Sequence, residues 1–156
     1  MTTPAHPGRN LFLNLPVADL QRSVEFFTKL GFTFNPQFTD EHATCMLVGE
    51  QAFFMLLDKP RFADFAKLPI ADPTTHTPAL YCFSTDSRAE VDTLTDTALA
   101  AGGAIAGETM DHGFMYSRSF LDLDGHHWEV MWMDPAAAAG GPEAVAEDAV
   151  PAGAPA

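Results

Sequence analysis

The sequence predicts an α+β protein in which a β-α-β-β-β unit occurs twice. Three observations carry that reading. Strand-like and helix-like segments follow in the same order in both halves, with a period of about seventy residues. Each half opens on an apolar run that leads into a capped, amphipathic helix stopped by glycine. Each half then closes on a long apolar strand.

In the first module, residues 11–58, Leu11–Val17 reads as a strand after a ten-residue N-terminal extension, 1–10. Asp19 is placed to cap a helix whose apolar stripe is Leu20, Val24, Phe27 and Leu30, with Gly31 as the stop. Strands Phe32–Thr39, Ala43–Val48 and Gln51–Leu57 follow, separated by the turn residues Asp40-Glu41 and Gly49-Glu50. Residues 59–78 form a connector, in which Arg61–Leu68 can make a short helix with Phe62, Phe65 and Leu68 on one side.

In the second module, residues 79–134, Ala79–Thr85 is the opening strand. Ser87-Arg88-Ala89-Glu90 is a capping box, and Val91, Leu94, Ala98 and Ala101 point inward until Gly102-Gly103 ends the helix. Ala104–Met110, Phe114–Leu121 and His127–Met133 are the remaining strands. Residues 135–156 are Ala, Gly and Pro with a few acids and no periodicity, and are expected to be a disordered tail.

Eight basic against 21 acidic residues give a net charge of −13. That excludes nucleic acid and anionic membrane as partners held by general electrostatics. The apolar runs are too short to span a bilayer, and Met1–Asn10 lacks the apolar core of a secretory signal, so a cytoplasmic location is expected. Cys45 and Cys82 lie in strand-like runs and are expected to be buried thiols in a reducing compartment.

The richest stretch is Asp122-Leu123-Asp124-Gly125-His126-His127-Trp128-Glu129-Val130. Asp-Gly makes a tight turn, because glycine tolerates positive φ and the Asp carboxylate can bond nearby backbone. In the strand that follows, His127, Glu129 and Met131 share one face, and Trp128, Val130 and Trp132 the other. A carboxylate in so apolar a strand costs several kcal/mol to bury without a partner. Glu129 is therefore a ligand, a hydrogen-bonded anchor, or the lining of a wet cavity.

The doubled plan, Asn14-Leu15-Pro16-Val17-Ala18-Asp19-Leu20, and Asp122-Leu123-Asp124-Gly125 with Trp128-Glu129-Val130 resemble the vicinal oxygen chelate superfamily. That superfamily holds glyoxalases, extradiol dioxygenases and bleomycin-resistance-type binding proteins. The phrases Gly31-Phe32-Thr33-Phe34-Asn35-Pro36-Gln37-Phe38-Thr39-Asp40 and Gly113-Phe114-Met115-Tyr116 are similar to its glyoxalase-like subgroup. The resemblance runs from Asn10 to Asp134. It implies curved half-barrel sheets around a cleft, paired within a chain or across a homodimer.

Metal-dependent members draw ligands from the first and last strand of each half. Carried over, those positions fall on Phe12, near Met55, near Leu80, and on Glu129. Phe and Leu offer no donor and a Met thioether suits soft ions, so no metal cofactor is expected. The alternative is a lactoylglutathione lyase-like or dioxygenase enzyme with Zn, Ni, Mn or Fe on Glu129.

A displaced polar layer of Asn14, Cys82, His127 and Glu129 is also open, against a turn-bonding Asn14, a core Cys82 and a solvated His127. Glu129 is either a general base beside a carbonyl or a structural anchor. Tyr116 and Arg118 share one face; Arg118 either forks a substrate carboxylate or pairs with a neighbouring acid. His42, His76 and His112 fall in turns or loops and are expected to face solvent. Phe12, Met55 and Leu80 around Glu129 favour a small, flat or apolar ligand gripped by area. A small-molecule-binding protein is the expected function, with a metal-dependent enzyme and a drug-sequestering resistance protein as alternatives. The 61–68 segment either closes over the cleft as a lid or stays a plain part of the connector.

Overall fold

The computed structural model describes His6 and residues 8–140. The elements run β1 (Leu11–Val17), α1 (Leu20–Lys29), β2 (Thr33–Asn35), a 3₁₀ turn (Pro36–Phe38), β3 (Ala43–Gly49), β4 (Ala52–Asp58) and α2 (Lys59–Phe65). They continue with β5 (Leu80–Ser84), α3 (Arg88–Ala100), β6 (Ala104–Ile105), β7 (Met110–Asp111), β8 (Met115–Leu121) and β9 (His127–Met133). This is the expected α+β plan, with two open sheets. No helix among the described residues is long and apolar enough to cross a membrane.

The chain divides into two compact units. In the first, the sheet order is β1-β4-β3-β2, and β1 pairs in parallel with β4. Alternation puts Leu15, Val17, Met46, Phe54 and Leu56 on one face, all buried along with Phe26, Phe27 and Leu30 of the following chain. Asp19 caps α1 as expected, accepting from Arg22 N at 3.1 Å. The stripe is rotated slightly, since Ser23 and Phe26 are buried while Leu20 and Val24 are only half-buried.

The strand expected over Phe32–Thr39 stops at Asn35. Pro36 has no N–H to give a ladder, and Asn35 Oδ1 accepts from Gln37 N at 2.9 Å to start the 3₁₀ turn. The short helix begins at Lys59, two residues earlier than expected, because Asp58 caps it and Pro60 suits its first turn. It ends before Leu68, which is left exposed.

The first unit also includes Leu123–His126, the turn between β8 and β9, which the sequence assigns to the second module. Asp124 accepts from Ala18 N at 2.8 Å and Ser23 Oγ at 3.4 Å, and His126 Nε2 lies 2.8 Å from the Pro16 carbonyl oxygen. Gly125 takes φ +91°, and a Cβ there would lie 3.4 Å from the Pro73 backbone. Positive φ and the close approach both favour glycine here.

In the second unit the sheet order is β5-β9-β8-β6, with β7 also on β8, and β5 is parallel to β9. Val91, Thr95, Ala98, Phe120, Trp128 and Val130 are fully buried. Leu94, expected inward, is half-buried, and Thr95 takes its place. Ser87 Oγ accepts from Glu90 N at 3.1 Å, while Glu90 Oε2 reaches past the cap to Asp86 N at 3.0 Å.

The strand expected over Ala104–Met110 is split. Ile105 pairs with Phe120 and Met110 with Ser117, so five residue steps on one side face three on the other, and residues 106–109 bulge outward. Most of the expected tail lies outside the described residues. Its first part, 135–140, is helical rather than unstructured, with Ala138 N donating to Asp134 O at 2.9 Å.

Candidate functional site

Each sheet has one helix-covered face and one more open face. In the first unit the open face follows from the β1–β4 register: Phe12 opposite Phe53, Asn14 opposite Met55, Pro16 opposite Leu57. β3 adds Leu47 beside Phe53 and Cys45 beside Met55. Phe12 keeps 51% of its surface exposed and Leu47 37%, so this part of the face is apolar and uncovered. The Phe12 and Phe53 rings stack with centroids 5.0 Å apart and planes 19° from parallel. At the other end, Asn14, Leu57, Phe62, Phe65 and Ala66 line a cleft of about 340 Å³ beside α2.

The Asn14 amide donates only a long 3.5 Å contact to the Phe12 carbonyl, so no turn occupies it. Cys45 is buried, with its thiol pKa raised by desolvation.

In the second unit the open face carries Leu80 opposite His127 and Cys82 opposite Glu129, with Ser119 on the other side of Glu129. The His127 and Glu129 side chains retain 20% and 30% exposure, and His127 Nε2 lies 3.9 Å from Glu129 Oε1. Glu129 is thus partly solvated, and the burial cost expected for it is largely avoided. His127 Nε2 is covered and makes no hydrogen bond among the described residues.

Cys82 is exposed, contrary to expectation, because it sits on this open face of an edge strand. Shielding by the sheet pushes its thiol pKa up, and the Glu129 carboxylate adds to that. It is therefore a protonated thiol near neutrality and not an activated nucleophile.

Tyr116 and Arg118 do share a face, but it is the one turned toward α3, opposite to that of Glu129. Tyr116 Oη donates to Asp92 Oδ1 at 2.8 Å, and Arg118 Nη1 lies 2.9 Å from both Asp92 Oδ1 and Asp96 Oδ1. The Asp92 carboxyl is held low first by the Tyr116 hydrogen bond and then by Arg118. Of the two roles open to Arg118, the geometry selects pairing with neighbouring acids.

The register also shifts the metal-ligand positions by one step. Glu129 has Cys82, not Leu80, as its neighbour in β5, and Met55 has Asn14, not Phe12, in β1. Among the described residues no three of His, Cys, Asp or Glu are grouped so as to hold a metal ion. An amide and a thioether on one sheet, and on the other a protonated thiol with one imidazole and one carboxylate 3.9 Å apart, fall short of the three or more nitrogen and oxygen donors a divalent ion takes.

Phe53, Leu47 and Phe62 are the residues of this open face and its cleft that sequence reasoning placed elsewhere or left out. Strand alternation could have found Phe53, which is two residues from Met55 and so on its face. Leu47 and Phe62 needed the β3 register and the helix position.

Two β-α-β-β-β units, each with a helix-covered and an open sheet face, define the vicinal oxygen chelate class of proteins. The chain has the fold of that superfamily and is similar to one of its family models over part of its length: the model described as bleomycin resistance protein-like N-terminal matches residues 9–49, and the solved structures agree in fold. Hypothetical protein SA1046 from S. aureus is 27% identical, with a TM-score of 0.68 over 79% of this chain and 92% of that one. A glyoxalase/bleomycin resistance protein/dioxygenase family enzyme from Burkholderia phytofirmans PsJN is 16% identical, with a TM-score of 0.65 over 78% and 96%. A lactoylglutathione lyase from Agrobacterium tumefaciens is 22% identical, with a TM-score of 0.58 over 81% and 95%. The last two likenesses are of fold alone. No curated protein matches the chain.

Proposed function

We propose that the protein binds small, flat or apolar molecules on the open sheet face of its first unit. The observation that carries this reading is the half-exposed Phe12 ring, stacked on Phe53, which has the exposed Leu47 on its other side. A ligand covering ~100 Å² of that apolar surface would gain about 2.5 kcal/mol from removal of water. The Asn14 amide, with both donor and acceptor atoms uncommitted to strong bonds, would orient a polar edge. Phe62 and Phe65 on α2 line the same cleft as Asn14 and add apolar surface beside it.

The donor chemistry at Phe12, Met55 and Leu80 supports binding without a metal, since coordination would need nitrogen or oxygen where those side chains stand. Similarity to a bleomycin resistance-like domain over 9–49, which spans β1 and β3 of this face, favours the finer reading of drug sequestration.

Titration with the neutral flat dye Nile red tests the proposal. Affinity should fall about tenfold or more in Phe12→Ser, equivalent to roughly 1.4 kcal/mol. Equal affinity in Phe12→Ser and wild type would remove this face as the binding site.

A further inference from the structure

We propose a second, separate ligand site in the other unit, on the α3 side of its sheet, that takes a small amphipathic amine. Its origin is the bulge between β6 and β7. Residues 106–109 leave the edge of β8 and open a cavity of about 510 Å³ bounded by α3, the bulge and β8. Bulges are built features that redirect side chains and often border binding sites. The volume is within the range of small-molecule pockets.

The lining has two characters. Leu99 and Ile105 give an apolar wall, and Ile105 is 72% exposed although it belongs to a strand. Thr95, Glu108 and Arg118 give a polar end. Gly107 passes close to β8, where a Cβ would stand 3.3 Å from Ser119 Oγ.

Thr95 is the sharpest sign of an absent partner. It is 1% exposed, and its Oγ1 makes no hydrogen bond among the described residues. The same helix shows the usual alternative two residues on, where Thr97 Oγ1 donates to the Thr93 carbonyl at 2.7 Å. Thr95 Oγ1 is covered in the rotamer present. The whole side chain is covered, so a ligand reaches this hydroxyl only as the neighbouring bulge gives way.

Charge decides the ligand class. The Arg118 guanidinium is already answered by Asp92 and Asp96, each at 2.9 Å. The Glu108 side chain has no ion pair or hydrogen bond among the described residues. The polar end is therefore net negative, in a chain of net charge −13, and it repels carboxylates and phosphates while attracting an ammonium group. An ammonium on Glu108, an apolar body on Leu99 and Ile105, and a hydrogen bond to Thr95 satisfy all three features together.

The test compares phenethylammonium with 3-phenylpropionate, which match in shape and differ in the sign of charge. Amide chemical shifts of the full chain are followed by NMR at physiological ionic strength, up to about 10 mM ligand. The amine should give saturable shifts at Thr95, residues 105–109 and Arg118, with at least tenfold weaker binding by the carboxylate. Glu108→Gln should weaken the amine about fivefold or more. Thr95→Val removes an unpartnered hydroxyl at nearly constant shape, so it should fold normally yet bind the amine several-fold more weakly. Equal binding of both probes, no saturable shift at these amides, or unchanged affinity in Glu108→Gln would overturn the site. Unchanged affinity in Thr95→Val would overturn the role given to its hydroxyl.

Discussion

Trp128 Nε1 donates a 2.9 Å hydrogen bond to Asp122 Oδ2, and both side chains are buried on the second unit. The two residues flank the turn whose middle, Leu123–His126, belongs to the first unit. A fully buried indole gives the strand its anchor, and Asp122 supplies the acceptor that makes burial of the indole N–H tolerable. Asp122→Ala should therefore cost about 1–3 kcal/mol in urea unfolding, the cost of an orphaned buried donor. Asp122→Asn, which keeps an acceptor oxygen, should recover most of it. Equal losses in the two variants would mean that the bond to Trp128 is not what Asp122 contributes.

Exposure separates Phe12 from its neighbours in stability as well as in binding. Phe54, at 6% exposure on the opposite face, should cost about 3–5 kcal/mol when cut to Ala. Phe12→Ser should cost less than about 1 kcal/mol while weakening Nile red. Chemical denaturation of both variants checks the contrast, and a large loss in Phe12→Ser would show that the ring is a core residue.

Arg118 is held by Asp92 and Asp96, whose side chains are about half and two-thirds exposed. Such pairs are screened, so Arg118→Met should destabilise by only about 0.5–1 kcal/mol. Nile red affinity should be unchanged, because Arg118 is not on the proposed binding face. A change in dye affinity would contradict that placement.

His42 Nδ1 lies 2.6 Å from Asp58 Oδ2, and Asp58 also caps α2 by accepting from Arg61 N at 2.9 Å. The hydrogen bond to Asp58, with the nearby Asp58 and Glu41 charges, raises the His42 pKa above its ordinary 6.5. The same bond lowers Asp58 below its ordinary 3.8. The His42 contribution is present below its ordinary pKa and lost as pH rises through the raised value. The Asp58 contribution is present above its ordinary pKa and lost as pH falls through the lowered one. The pair therefore contributes most between about pH 4 and 6.5. Thermal melts should show a small loss above that window in the wild type that is absent in His42→Gln. Parallel pH profiles would exclude the pair as its source.

The donor set predicts metal-independent binding. Exhaustive chelation should leave Nile red affinity unchanged. Stoichiometric Zn, Ni, Mn or Fe in protein purified without added metal would favour the metal-dependent lyase or dioxygenase reading instead.

The sequence alone determined the repeated β-α-β-β-β order, the caps at Asp19 and Ser87, the turn at Gly125, and the division of β9 into a Trp128 face and a Glu129 face. Those features depend on local chemistry: alternation, capping hydroxyls and carboxylates, and glycine at positive φ. Lateral register does not leave such a trace, because a strand slipped by two residues keeps the same faces. Only the tertiary structure decided that Cys82 rather than Leu80 lies beside Glu129, and Asn14 rather than Phe12 beside Met55. It also decided that Arg118 pairs with acids on α3 and that the 123–126 turn joins the first unit. Those outcomes rest on contacts between residues far apart in sequence, where packing and charge choose among partners that local patterns leave equivalent.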